Sequence, residues 1–211
     1  MRRPNLPPIL LATGFSLLLA SCLGGTGVQP PVSHYTLEYP SPAFPEAVPV
    51  EPALKVEKLT TTGECAGWSL VRRPAPYRVE AYDRCRWAGR VSDLVTDLIY
   101  RDASTSGLFR RVVSPRGVES TPLVVGGEVE EFWEAAQEDG PVAVVGVAIT
   151  LEDRREADPV RRIVLQKRYR ETEPMTGRTP ADLAAALSRA MERLSRRMLG
   201  DLHGAASRLP G

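Results

Sequence analysis

The stretch from Ile9 to Ala20 is apolar and broken only by small residues; Arg2 and Arg3 precede it, and Ser21-Cys22 follows. A permanent membrane span needs roughly 20 apolar residues, and this run is shorter. Positive charge, a short apolar core and small residues at a cleavage point make a secretory signal. The chain therefore folds outside the cytoplasm, and the signal takes up residues 1–21. Some 190 of the 211 residues remain, about enough for one domain with its own core plus a tether.

The cleavage point reads Leu19-Ala20-Ser21-Cys22, which resembles the lipobox of bacterial lipoproteins. That resemblance implies a lipidated Cys22 at the mature N-terminus. Two or three acyl chains, each methylene contributing about 0.8 kcal/mol, hold a protein on a membrane lastingly. Leu23 follows, not the Asp that tends to retain lipoproteins in the inner membrane, so the periplasmic face of the outer membrane is the expected address. Gly24-Gly25-Thr26-Gly27 and Pro30-Pro31 cannot build a core, and residues 22–33 read as a lipidated Cys and flexible tether. Extended, Leu23 to Ser33 would reach about 34 Å.

Lys and Arg total 27 against 26 Asp and Glu, so no global charge points to nucleic acid. Besides Cys22, the chain has Cys65 and Cys85. In an oxidising compartment these could pair and stabilise a loop by roughly 3 kcal/mol, or stand as two separate core thiols. Spacing alone does not give a Cα distance, and pairing is the marginally favoured expectation.

His34 to Tyr39 has strand chemistry, and the proline-rich run from Pro40 to Pro52 must be a connector. Ala53 to Thr60 alternates imperfectly as a strand, and Thr61 to Ser69 reads as a loop holding Cys65 and Trp68. From Leu70 to Trp87 two short strands flank a proline-rich turn, with Tyr77, Val79 and Ala81 on one face and Arg78, Glu80 and Tyr82 on the other. Val91, Leu94, Val95, Leu98 and Ile99 recur at helical spacing, with Ser92 and Asp93 as cap and first-turn acid, and Gly107 is a left-handed stop. Leu108 to Val113 begins the next strand. Strands are then expected over about 123–133, 142–151 and 160–172, with a bulge at Gly126-Gly127 and the middle strand central in the sheet and covered on both faces. In the last of these Ile163, Leu165 and Tyr169 should face inward. Thr179-Pro180-Ala181-Asp182 opens the final helix as a capping-box variant, and Leu183, Leu187, Ala190, Leu194 and Met198 form its apolar stripe. Arg189, Arg193, Arg196 and Arg197 lie mostly off that stripe and read as a solvated face. The fold class is α/β of the α+β type: a single domain over 34–203 with a mostly antiparallel sheet and two main helices, then a C-terminal tail over 204–211.

Catalytic patterns are missing from the sequence. There are two histidines, His34 at the tether's end and His203 near a frayed tail, and no G-x-S-x-G, H-E-x-x-H, P-loop or G-x-G-x-x-G. Neither His has an evident route to Cys65 or Cys85, so no catalytic residue, metal or cofactor is assigned. Glu128, Glu130, Glu131 and Glu134 read as a solvated sheet edge. The remaining candidates for contact with a partner are Arg and aromatic residues: Arg73, Tyr77, Tyr82, Trp87 and Trp133.

Several of these pieces occur together in order: the lipobox, Tyr35-x-Leu37, Arg73-x-x-x-Tyr77 through Tyr82 and Trp87, an amphipathic helix leading into Ser106-Gly107-Leu108-Phe109-x-x-Val112, and the closing Ala186-Leu187-Ser188-x-Ala190. In that order they resemble the ABC-type transport auxiliary lipoproteins. Thr121-Pro122 replaces the Asp-Tyr expected before the strand at Leu123, and Cys65 and Cys85 are not features of that family. The resemblance implies a non-catalytic periplasmic lipoprotein working with an MCE-domain protein, an ABC permease and an ATPase; assembly as a homo-oligomer is a further expectation. Such systems move lipids or other hydrophobic molecules between membranes, and the auxiliary protein docks the conduit at the outer membrane. Two rival readings are a lipid-binding carrier with a deep apolar cavity and a tethered activator of a peptidoglycan synthase.

Overall fold

The computed structural model describes residues 30–210; the signal, Cys22 and the first part of the tether lie outside the described residues. Three long strands form the frame. Strand β7 (Leu123–Gln137) pairs antiparallel along its length with β8 (Gly140–Asp153), and β8 with β9 (Ile163–Pro174). Gly140 closes the β7–β8 hairpin at φ 124°, a left-handed conformation open to glycine.

The other edge of β7 is shared by three short strands in succession, all parallel to it. Strand β2 (Leu54–Val56) lies beside Leu123–Val125, β3 (Thr60–Thr61) beside Glu128–Val129, and β4 (Ser69–Ala75) beside Trp133–Ala135. Residues 54–75 therefore run as one lane along β7, interrupted by the 3-10 turn Gly63–Cys65. Beyond β4 lie β5 (Arg78–Trp87), antiparallel to it, and β1 (Ser33–Tyr35), parallel to β5. Strand β6 (Val112–Val113) adds in parallel outside β2. The sheet is thus mixed: antiparallel in its long ladders and in the β4–β5 hairpin, and parallel in its other pairings.

Two helices pack side by side against this sheet. Helix α1 (Val91–Thr105) lies against β7 and the β2, β3 and β6 strands, and α2 (Pro180–Ala206) against β7, β8 and β9. The cap of α2 is as the sequence reads: Thr179 Oγ1 accepts from the Asp182 N–H at 3.2 Å, and Asp182 Oδ2 accepts from the Thr179 N–H at 3.0 Å. All five residues of its apolar stripe are fully buried. At α1 the cap differs from expectation. Arg90 occupies the position without a side-chain bond, and Ser92 is buried. Gly107 does end the turn after α1, at φ 79°.

Other local expectations are also corrected. The irregularity in β7 falls at Glu130, between Val129 and Glu131, not at the glycines. Gly127 has a different duty: a Cβ there would stand 2.0 Å from the Ala148 carbonyl oxygen, so the two strands close on it. The central strand is β7, and β8 is one place from the edge. Ile163 is exposed at the start of β9, while Tyr169 is buried as expected. Helix α2 continues through His203, whose Nε2 sits 2.8 Å from the Val48 carbonyl oxygen, so His203 anchors the connector and no tail frays there.

The acidic cluster is not a solvated edge. Glu130 pairs with Arg168 at 3.0 Å and Glu131 with Arg170 at 2.7 Å, from β7 across to β9. Glu131 can cross because β8 places Gly146 beneath it; a Cβ there would meet its carboxylate at 2.8 Å. The α2 arginines are paired too. Arg189 and Arg193 hold Glu173 at 2.6 and 2.7 Å, and Arg193 and Arg197 meet Glu171. Arg196 alone lies over the Phe44 ring, 5.8 Å from its centroid.

Candidate functional site

The candidate residues converge on the β4–β5 hairpin, where alternation along the strands sends them to different places. Arg73 on β4 stands beside Ala135 of β7. Its guanidinium lies over Trp133, 4.1 Å from the ring centroid, and forms an ion pair with Glu64 of the 3-10 turn. Stacking of this kind desolvates one face of the cation while the ring quadrupole attracts it. The Arg73 Nε is shielded by this packing and meets no acceptor among the described residues.

At the hairpin tip, Pro76 and Tyr77 make the turn. Tyr77 has φ 61° and a side chain wholly in solvent. A non-glycine residue in that region carries a backbone cost and needs a reason to stay. Arg73 and Tyr77 border the same open groove of about 600 Å³, together with Glu64, Pro74 and Val79. Its lining mixes a charged pair with proline and aromatic surface.

Tyr82 faces the other side of the hairpin. It donates to Glu134, the Arg72 guanidinium lies 5.4 Å from its ring centroid, and Arg72 pairs with Glu80 at 2.7 Å. Burial first, and then the Glu134 carboxylate, push the Tyr82 hydroxyl well above its usual range, so it stays a hydrogen-bond donor.

Trp87 leaves the set of exposed candidates. It is fully buried and meets Phe132 edge-on at 5.1 Å, as a core residue. The inward turn follows from the irregular β4–β5 register between Ser69 and Val71, accompanied by Arg84 at φ 50°. The thiols are likewise separate. Cys65 is buried with its Sγ 3.6 Å from the Glu130 carbonyl oxygen, and Cys85 lies on β5 beside Ser33 of β1, with β4 between β5 and β7. The marginally favoured disulfide is thereby corrected to two free thiols. Burial pushes the Cys65 thiol up to about 11.

Sequence reasoning missed Glu64 and Ala135 as borders of the groove, because both arrive through the long-range pairing of β4 with β7. It also missed the buried carboxylate of Asp102, which accepts from Tyr39 at 2.7 Å and from Ser195 at 2.6 Å. A charged residue inside an amphipathic helix stripe was the available signal.

A family model described as the ABC-type transport auxiliary lipoprotein component matches residues 35–199. Among solved structures, a protein from Xanthomonas campestris superposes with a TM-score of 0.74 at 19% identity, covering 83% of this chain and 98% of that one. A hypothetical protein from Chlamydia trachomatis superposes with a TM-score of 0.52 at 12% identity, covering 74% of this chain and 98% of that one. At such identities the likeness is one of fold. No functionally curated protein matches the chain.

Proposed function

Because this chain belongs to the ABC-type transport auxiliary lipoprotein family, we propose that it is the lipid-anchored docking subunit of a transport system. The match over residues 35–199 carries this reading, since it spans nearly the whole described fold. In this proposal Cys22 bears the acyl chains and holds the protein at the periplasmic face of the outer membrane. The folded domain receives an MCE-type conduit fed by an ABC permease and ATPase, and the cargo is a lipid or another hydrophobic molecule. The domain acts by binding, singly or as a homo-oligomer, and catalyses no reaction.

The contact is assigned to the hairpin bearing Arg73 and Tyr77. An exposed tyrosine and a stacked arginine around a groove are the side chains that dominate binding hot spots. The carrier reading gains nothing from this groove, which is open and bordered by Glu64 and Arg73, whereas acyl chains call for an enclosed apolar cavity.

The test is a photo-crosslinking residue at position 77 of the full-length protein in cells, followed by mass spectrometry of the adducts. Adducts with an MCE-domain protein or its permease support the reading. A cell-wall synthase as the adduct, or lipid alone, would remove it.

A further inference from the structure

Strand β9 is the outer strand of its side of the sheet and pairs with β8 alone. An edge of this length presents a row of backbone donors and acceptors, and proteins usually close such rows. Here the closure is half complete. Arg193 donates to the Thr172 carbonyl at 3.0 Å and Arg189 to the Pro174 carbonyl at 3.3 Å, both from α2. Those carbonyls therefore point away from β8, whereas the Met175 N–H points toward it and donates to Pro141. Alternation along an antiparallel ladder turns the N–H and C=O groups of Gln166, Arg168 and Arg170 outward as well, up to the irregularity in register at Val164. Among the described residues, no group meets the outward main-chain groups of these three.

The side chains along the open half have one sign. Lys167, Arg168 and Arg170 are basic, and no carboxylate occurs in β9 before Glu171. Arg168 and Arg170 stay 80% and 58% exposed although each has a carboxylate partner on β7, and Lys167 stays 44% exposed beside its own partner, Asp201 of α2. A second copy adding antiparallel on this half would set these cations against one another. Sliding the copy toward Glu171 and Glu173 meets carbonyls already occupied by Arg189 and Arg193.

We propose that the edge of β9 from Gln166 to Arg170 is a docking site for an extended acidic segment of another protein, which adds as a further strand. Main-chain bonds would supply the affinity, and the three cations would select the sign of charge. The proposal does not depend on the transport role.

The test uses the full-length lipoprotein in detergent micelles and a fluorescent eight-residue peptide of alternating Glu and Val, with a Lys-and-Val peptide as control. Binding is read by anisotropy and located by amide hydrogen exchange. The acidic peptide should bind saturably, weaken with added salt, and slow exchange at the Gln166, Arg168 and Arg170 amides. Gln166→Pro removes an outward N–H and leaves the β8 ladder intact, so it should weaken binding by roughly tenfold or more at an unchanged unfolding midpoint. If that variant unfolds, the double reversal Arg168→Glu with Arg170→Glu replaces it, and should transfer preference to the lysine peptide. Four results would each overturn the proposal: no slowed exchange at those amides, equal binding of both peptides, undiminished binding by Gln166→Pro, or sedimentation showing self-association that Gln166→Pro abolishes.

Discussion

Ser195 of α2 donates its hydroxyl proton to Asp102 of α1 at 2.6 Å, and both side chains are completely buried. The same carboxylate oxygen accepts from Tyr39 at 2.7 Å, and Arg101 holds the other oxygen at 2.8 and 2.9 Å while lying over the Tyr39 ring. One carboxylate therefore joins both helices to the segment leaving β1. Burial, followed by the Asp102 charge, pushes the Tyr39 hydroxyl far above its usual range, so it remains a donor. Removing the acceptor leaves the buried Ser195 hydroxyl and the half-buried Tyr39 hydroxyl without their partner. Asp102→Ala should cost about 3 kcal/mol in chemical denaturation, and a double-mutant cycle with Ser195→Ala should show coupling of about 1–2 kcal/mol. Additive effects would separate the two residues.

Gly127→Ala should be among the most damaging single-methyl changes. The added Cβ would fall 2.0 Å from the backbone oxygen of Ala148, which cannot move without opening the β7–β8 ladder. A loss of about 3 kcal/mol or more is expected by thermal or denaturant unfolding. Gly63→Ala, where a Cβ meets nothing within 4 Å, is the control and should change little.

Tyr77→Gly separates binding from stability. The residue is wholly exposed at φ 61°, so glycine should leave the unfolding midpoint unchanged or raise it slightly. Loss of the partner adduct in a variant of undiminished stability would assign the contact to the side chain. Retained adduct formation would move the contact elsewhere.

The two free thiols make a chemical prediction. In denaturant without reductant, Cys65 and Cys85 should both be alkylated, as peptide mass spectrometry would record. In the folded protein at pH 8, Cys65 should be protected, because burial raises its thiol to about 11 and the thiolate is the reactive form. A 65–85 disulfide-linked peptide would contradict the structure.

Acid should loosen the attachment of α2. Burial pushes Glu173 and Asp201 up, but the bonds from Arg189 and Arg193 to Glu173, and from Lys167 and Tyr169 to Asp201, outweigh it, so both carboxyls lie below their usual values. A carboxyl depressed in the folded state contributes stability that is full above its unfolded value. That contribution fades as the pH falls through the folded one. Denaturation midpoints should hold from pH 7 to about 5 and fall below about 4.5, close to the unfolded carboxyl values. Arg193→Gln should flatten that fall.

The capped helix α2 and the apolar β8 could both be read from neighbouring residues alone, because each depends on spacing within one segment. Thr179 and Asp182 are three positions apart, and the stripe from Leu183 to Met198 repeats at the helical period, so that helix is written locally. The family's order of motifs was legible for the same reason.

What tertiary structure decided is everything that needs a distant partner. No local pattern says that β2, β3 and β4 line up in parallel along one edge of β7, since parallel pairing depends on a crossover and not on a turn. That lane brings Glu64 and Trp133 to Arg73, and so makes the groove. The irregular β4–β5 register turns Trp87 into the core, while Cys65 and Cys85 are kept apart by strands the cysteine spacing cannot reveal. The arginines off the α2 stripe looked solvated because their carboxylates sit on β9, and only the packing of helix on strand shows them closing half of its edge. Local spacing carries periodicity and caps; pairing, register and charge compensation arise only once the chain has folded back on itself.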